Sequence, residues 1–386
     1  MSSFVRKTKG VTSSGAPAPQ CRGTRASATG GPHLVSTGCA DLDRVIGGGL
    51  PLGSLSVFAV DGWTHHATLF LKYFVSEAVA VGQSVGVVRH VRQPHTHVAD
   101  FLLRRMSKTE AIKEEEAEKA EIAAAREATK LRIAWQYEKY AKSAEGRGPE
   151  TGVHPGRLAL GKGAASLGSK GPWCHDHDII KPPSEEDVRR MFDASGGEGG
   201  GQCVETFTIQ PGTTGPVAQI AAAVRSFSEE VCKRPGAVGR LVISSLGDAA
   251  WDMEADAVVN ALTVIRSVIQ QEPRIAVAVS VPLRAMRPSE AKRIMYVSDV
   301  CFSLAAVEDT SSLAVLSADP KTVAGAMEIV RLPKFGPIRS SLSEVRSYVI
   351  RNRRRRLALE LFEVDPDAEA GGDAPAGKTT SSGLDW

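Results

Sequence analysis

Residues 60–67, VDGWTHHA, are the first place where this chain could do chemistry. A glycine-rich turn, GGGLPLG, and a short apolar run precede them, and the apolar stretch HHATLFLKYFVSEAVAVG overlaps and follows. Turn, strand, loop and buried helix in that order frame a phosphate-binding loop. Such a loop needs G-x-x-x-x-G-K-[ST] between strand and helix. Its glycines let backbone N–H groups approach phosphate oxygens, its lysine neutralises them, and its hydroxyl holds Mg²⁺. Here Val60 and His65 stand where the glycines belong, His66 at the lysine position and Ala67 at the hydroxyl position. A side chain at Val60 crowds the turn, an unperturbed imidazole is mostly neutral at pH 7, and alanine ligates no metal. A charge-assisted hydrogen bond contributes about 1.5–3 kcal/mol. Losing several together is expected to remove most triphosphate affinity.

A second element of such a site is missing as well. The run LVISSL carries Ser245 where a metal-binding aspartate would follow the strand. The run VGVVRHV closes on Arg89 and His90 rather than on a glutamate able to position water. Other chemically able groups fit no recognised pattern. Cys174, His175 and His177 have the spacing C-H-x-H, unlike any common zinc site, so no metal is expected there. His90, His95 and His97 read as loop histidines. Asp248, Asp252, Glu254 and Asp256 read as a solvated loop leading into a helix N-terminus, where negative charge is favoured.

The elements that must hold these residues follow from patterning. The chain has 386 residues, 42% of them hydrophobic and 24% charged, an ordinary globular balance. A formal net charge of +3 provides no overall field for a polyanion. Six scattered cysteines with no CxxC pair suit a reducing compartment, and no apolar run reaches the roughly 18 residues of a membrane span. Residues 1–33 read as a disordered basic arm and 365–386 as a disordered tail. Between them lies one α/β domain, 34–364, whose core segments 34–106 and 204–364 flank an insertion at 107–203. Strands are expected near 54–60, 84–91, 204–210, 240–246 and 274–282, alternating with helices near 65–82, 213–233, 255–271 and 288–298. Four successive strands then run from about 299 to 364. That order implies a mostly parallel sheet flanked by helices and extended by antiparallel strands. Within the insertion, Ser107 and Glu110 have capping-box spacing ahead of a charged helix, and a short helix is expected at 184–194.

Five stretches resemble a known family: STGCADLDRVIGGGLPLGSLSVFAVDG, LFLKYFVSEAVAVG, LRIAWQYEKY, WCHDHDIIKP and IVRLPKFGPIRSS. Their content and order are similar to the landmarks of the PAXNEB family of Elongator subunits. The resemblance covers about 34–142, 172–182 and 204–364. It implies a RecA-like fold without a working phosphate loop. It also implies a non-catalytic role beside two paralogous RecA-like subunits in a heterohexameric ring, with a separate catalytic Elongator core. The ring would bind tRNA and support carbon-5 modification of wobble uridine, in cytoplasm and nucleus. No cofactor is expected on this chain's own loop, although ATP at the ring interfaces is consistent with the family. Lys321, Lys334 and Arg339 are then candidate tRNA phosphate contacts. Arg353, Arg354 and Arg355, at the tip of a hairpin, are candidates to reach a neighbour's nucleotide in trans. An active RecA-like ATPase and a recombination-type DNA-binding paralogue are the alternatives. Val60, His65, His66, Ala67 and Ser245 count against the first, and the lack of a phosphate loop or DNA-binding appendage against the second.

Overall fold

The structure, a computed structural model, describes residues 23–27, 31–61, 63–95, 97–114, 116, 117, 119, 120, 124, 173–193, 203–212, 214–283, 286–307, 323–334 and 347–361. Its strands in chain order begin with a small antiparallel sheet, β1 (Thr24–Arg25), β2 (Leu34–Val35) and β3 (Leu50–Pro51). Then come β4 (Leu55–Val60), β5 (Ser84–His90), β6 (Arg104–Arg105), β7 (His177–Asp178), β8 (Val204–Ile209), β9 (Gly239–Ile243) and β10 (Ile275–Val281). The last four are β11 (Val300–Ala305), β12 (Val323–Arg331), β13 (Ser347–Arg353) and β14 (Arg356–Leu361).

Nine of these form one sheet in the order β14-β13-β12-β11-β4-β10-β9-β5-β8. From β8 to β11 every pairing is parallel, and from β11 to β14 every pairing is antiparallel. This is the expected mostly parallel sheet extended by antiparallel C-terminal strands. β4, β9 and β10 are buried along their whole length, which is why LSVFAV, GRLVI and IAVAVSV show no polar alternation. Helix α1 (Ala40–Val45) and helix α2 (His66–Val81) cover one face. There Phe70, Phe58 and Phe302 stack in series, with ring centroids 5.7 and 5.1 Å apart. Helices Pro216–Cys232, Ala255–Gln271 and Pro288–Val297 cover the other face through Phe227, Leu262 and Ile294.

Differences from the sequence reading are local. β9 stops at Ile243, so Ser244–Leu246 form a turn instead of the end of a strand. The expected disordered arm contains a strand. Thr24–Arg25 pairs with β2, and the Arg25 guanidinium lies 4.3 Å from the Trp173 ring centroid and donates to the Gly48 carbonyl. These anchors sit far away in sequence, so composition could not show them. In the insertion, Ser107 and Glu110 do form a capping box: the Ser107 N–H donates to the Glu110 carboxylate at 3.0 Å, and the Glu110 N–H to the Ser107 hydroxyl at 3.3 Å. The stretch LRIAWQYEKY and the tail 365–386 lie outside the described residues.

The chain enters α1 through Gly38, whose φ is +83°. An added Cβ there would lie 2.2 Å from the Tyr73 carbonyl oxygen of α2. Left-handed backbone and lack of space both demand glycine at this point. Gly38→Ala is expected to cost about 2 kcal/mol or more in urea denaturation, because strain and overlap add. A Gly53→Ala control, also at positive φ but with 3.0 Å of room against the Pro273 side chain, should cost less.

Candidate functional site

The loop between β4 and α2 is closed by its own carboxylate. Asp61 accepts the Trp63 N–H at 2.9 Å, the Thr64 N–H at 3.1 Å and the Thr64 hydroxyl at 3.3 Å. Its second oxygen accepts the Ala306 N–H just past β11. Burial works against ionisation, but the Ala306, Trp63 and Thr64 donors prevail and hold Asp61 below the ordinary carboxylate range. Loop N–H groups that could have met an anion therefore already have one. His66, at the lysine position, turns into the sheet: its Nε2 lies 2.9 Å from the Ala324 carbonyl oxygen of β12. Val60 and Ala67 are buried, and Trp63 stands 80% exposed.

Neighbouring strand ends are tied to one another. The Ser245 N–H, at a residue with φ of +47°, donates to the Ser280 hydroxyl at 2.7 Å. Gln93 bridges β5 to β9, accepting the His90 N–H at 3.0 Å and donating to the Ser244 carbonyl at 2.8 Å. Arg89 donates to the carbonyls of Val91 and Gln93. His90 packs on Trp251 and His95 on Phe101, while the His97 N–H donates to Asp100. Asp248 accepts the Ala250 N–H at 2.8 Å. These groups hold turns in shape.

A second polar centre lies on the α1–α2 face of the sheet. Glu77 of α2 has no solvent exposure. It accepts the His175 backbone N–H at 2.9 Å and faces His175 Nδ1 at 2.9 Å and His177 Nε2 at 3.2 Å. An ionised carboxylate can only accept, so both imidazoles donate to it. Burial opposes the charge, but the hydrogen bonds and charges of His175 and His177 outweigh it and hold Glu77 far below the usual range. Asp43 of α1 accepts the Ser36 hydroxyl at 2.5 Å and the Thr37 N–H and hydroxyl at 2.7 Å each. Burial nevertheless pushes Asp43 up to about 6. Arg240 of β9, fully buried, donates to Gln83 at 2.7 Å and to the Ser36 and Phe74 carbonyls at 2.6 and 3.1 Å. Burial pushes it down to about 10 against the nearby charges of Glu77 and Asp43. Burial also pushes the Cys39, Cys203 and Cys301 thiols up to about 12, which makes them poor nucleophiles.

The arginine hairpin lies at the same sheet edge as Asp61, because Arg351 pairs with Val323 where β12 begins beside His66. Arg353 pairs with Glu360 at 2.6 Å, and Arg355 lies 3.7 Å from Glu114 and 3.8 Å from Asp178. Arg354 is exposed at the turn, with φ of +32°. Of the expected tRNA contacts, Lys334 is exposed past the opposite end of β12, about 30 Å along the strand at ~3.3 Å per residue. Lys321 and Arg339 lie outside the described residues.

The sequence that builds this site matches a family model described as PAXNEB protein over residues 17–385. The chain belongs to the PAXNEB family. Curated relatives of this PAXNEB chain carry the name Elongator complex protein 4. The Dictyostelium discoideum protein is 22% identical over 361 residues, 88% of this chain and 76% of that one. The Xenopus laevis protein is 37% identical over 99 residues, 26% of this chain and 23% of its own length. The Homo sapiens protein is 28% identical over 116 residues, 30% and 27% respectively.

The Glu77 centre escaped the sequence reading of this PAXNEB chain, although a signal existed. Glu77 is the one acid in a mostly apolar helix, and its partners lie in the WCHDHD landmark. Glu77→Gln sets an NH₂ donor against the donors that converge on this buried position and is expected to cost about 3 kcal/mol in urea denaturation at pH 7. Asp43 gives a pH signature of opposite sign. Its folded value of about 6 lies above the ordinary 3.8, so the folded state holds the proton more tightly. Stability from Asp43 is full below 3.8 and falls as pH rises to about 6. The destabilisation by Asp43→Asn, measured from pH 4 to 7, should therefore shrink as pH rises and level off above 6.

Proposed function

We propose that this chain is a non-catalytic subunit of Elongator. It assembles with two paralogous RecA-like subunits into a heterohexameric ring, an accessory module to a separate catalytic core. The ring binds tRNA and supports carbon-5 modification of wobble uridine. The observation that carries this reading is the family match across 17–385, with relatives named Elongator complex protein 4.

The geometry between β4 and α2 supports the non-catalytic part. A triphosphate needs loop N–H donors, a cation and a metal-binding hydroxyl. Asp61 occupies the Trp63 and Thr64 donors, His66 faces β12, and position 67 is alanine. An anion approaching this loop would also meet the Asp61 charge. At a ring interface a neighbour's ATP would meet Arg354 before Arg353 or Arg355, which already face carboxylates of their own chain.

Two measurements test this reading. Mixed with the two paralogous subunits, the chain should elute from size exclusion as one complex of six subunits. A chain that stays monomeric in the mixture contradicts the assembly. Titrated alone with ATP and Mg²⁺ in a calorimeter, it should show no saturable heat at millimolar nucleotide. Micromolar binding would favour the active ATPase instead.

A further inference from the structure

The base of the insertion and the arginine turn meet on one surface that neither builds alone. β6 pairs with β7, placing Arg105 opposite His177. The Ile179 N–H donates to the Arg355 carbonyl at 3.0 Å, which fastens the hairpin turn to the chain leaving β7. Lys108 and Arg356 line a pocket of about 260 Å³ together with Glu114, Asp176, Met106, Ala111 and Ile112. Beneath this surface the charges are matched from within. Arg104 meets Glu110 at 2.8 Å and Asp178 at 3.8 Å, while Arg355 lies near Glu114 and Asp178. With those carboxylates engaged, Arg105, Lys108, Lys181 and Arg354 are exposed cations of these segments, and Asp176 and Glu116 are exposed acids beside them.

We infer that this surface binds RNA phosphates, on the reading that the assembled ring holds tRNA. The cations come from chain segments around 105, 181 and 354 and gather in a protein whose whole formal charge is only +3. A local excess of this kind in a nearly neutral chain serves a local anion better than it serves solubility. Arg354 sits in a two-residue turn whose backbone is fixed by β13–β14 pairing, and its side chain is exposed, where a planar donor fork can meet phosphate oxygens in pairs. Of these four cations only Lys108 lines the pocket, and the others stand on the separate segments joined at its rim by the β6–β7 pairing and the Ile179–Arg355 bond, instead of lining one long apolar groove. That layout fits a backbone of repeated phosphates better than an acidic peptide.

The test uses the ring assembled with its two partner subunits and fluorescence anisotropy with tRNA over a salt series. Arg105→Glu, Lys108→Glu and Arg354→Glu are combined. A matching triple alanine variant guards against disruption by the introduced acids. Arg225→Glu, exposed on the distant helix Pro216–Cys232, controls for net charge. Ring size and melting temperature are checked for each. The combined reversal should weaken tRNA binding roughly tenfold or more and reduce the log–log salt slope by about 2. The alanine variant should move the same way by less, and Arg225→Glu should change little. Unchanged binding in the reversal, or an equal loss with Arg225→Glu, overturns the inference. Unchanged tRNA binding with loss of the catalytic subunit would assign the surface to a protein and likewise overturn it. A wild-type ring that binds no tRNA would instead remove the functional reading on which the inference rests.

Discussion

A carboxylate with no access to water fastens the two parts of this molecule together. Glu77 rises from the middle of α2, inside the sheet's main apolar layer, and receives one backbone and two imidazole donors from residues 175–177. Those residues belong to the insertion, about a hundred positions further along. Burying the charge alone would be prohibitive, and only the complete set of donors makes it tolerable. The requirement is therefore mutual. α2 needs the returning chain to satisfy Glu77, and the returning chain needs Glu77 to have a fixed path. From that path follow the β6–β7 pairing, the Ile179 bond to the arginine turn and the Trp173 ring against Arg25. Arg240 and Asp43 complete the charge balance from β9 and α1.

The same device appears at the sheet's other polar position. Asp61 gathers donors from its own loop and from the end of β11. Gln93 does so between β5 and β9. In each case a side chain of the protein itself satisfies backbone groups where neighbouring strands end. Charge left for outside partners lies elsewhere, where the hairpin turn meets the insertion.

The sheet and its helices were legible in the sequence because burial on both faces leaves continuous apolar runs, as in IAVAVSV, and exposed helix faces leave a helical period. The expectation of a degenerate loop rests on Val60, His65, His66 and Ala67 as residue types. What fills the loop was not legible. Asp61 reads as an ordinary acid after a strand until the fold brings Ala306 beside it. Glu77 likewise reads as one acid in LKYFVSEAVAV, and His175 and His177 as a weak metal pattern. Each is explained only by a partner far off in the chain. The start of β1 failed for the same reason: a Ser- and Gly-rich composition says nothing of a tryptophan near position 173. Among the arginines, sequence could name the cluster but not which members their own chain already holds.

The claim that Glu77 holds the insertion to the core makes a spatial prediction that bulk stability does not. Hydrogen exchange by mass spectrometry on the wild-type chain and on Glu77→Gln reads it directly. The account predicts faster exchange confined to residues 104–106, 173–181 and the turn at 354–357, with β4, β9 and β10 as protected as before. Uniform loosening of the whole sheet, or no change near residues 173–181, would contradict it.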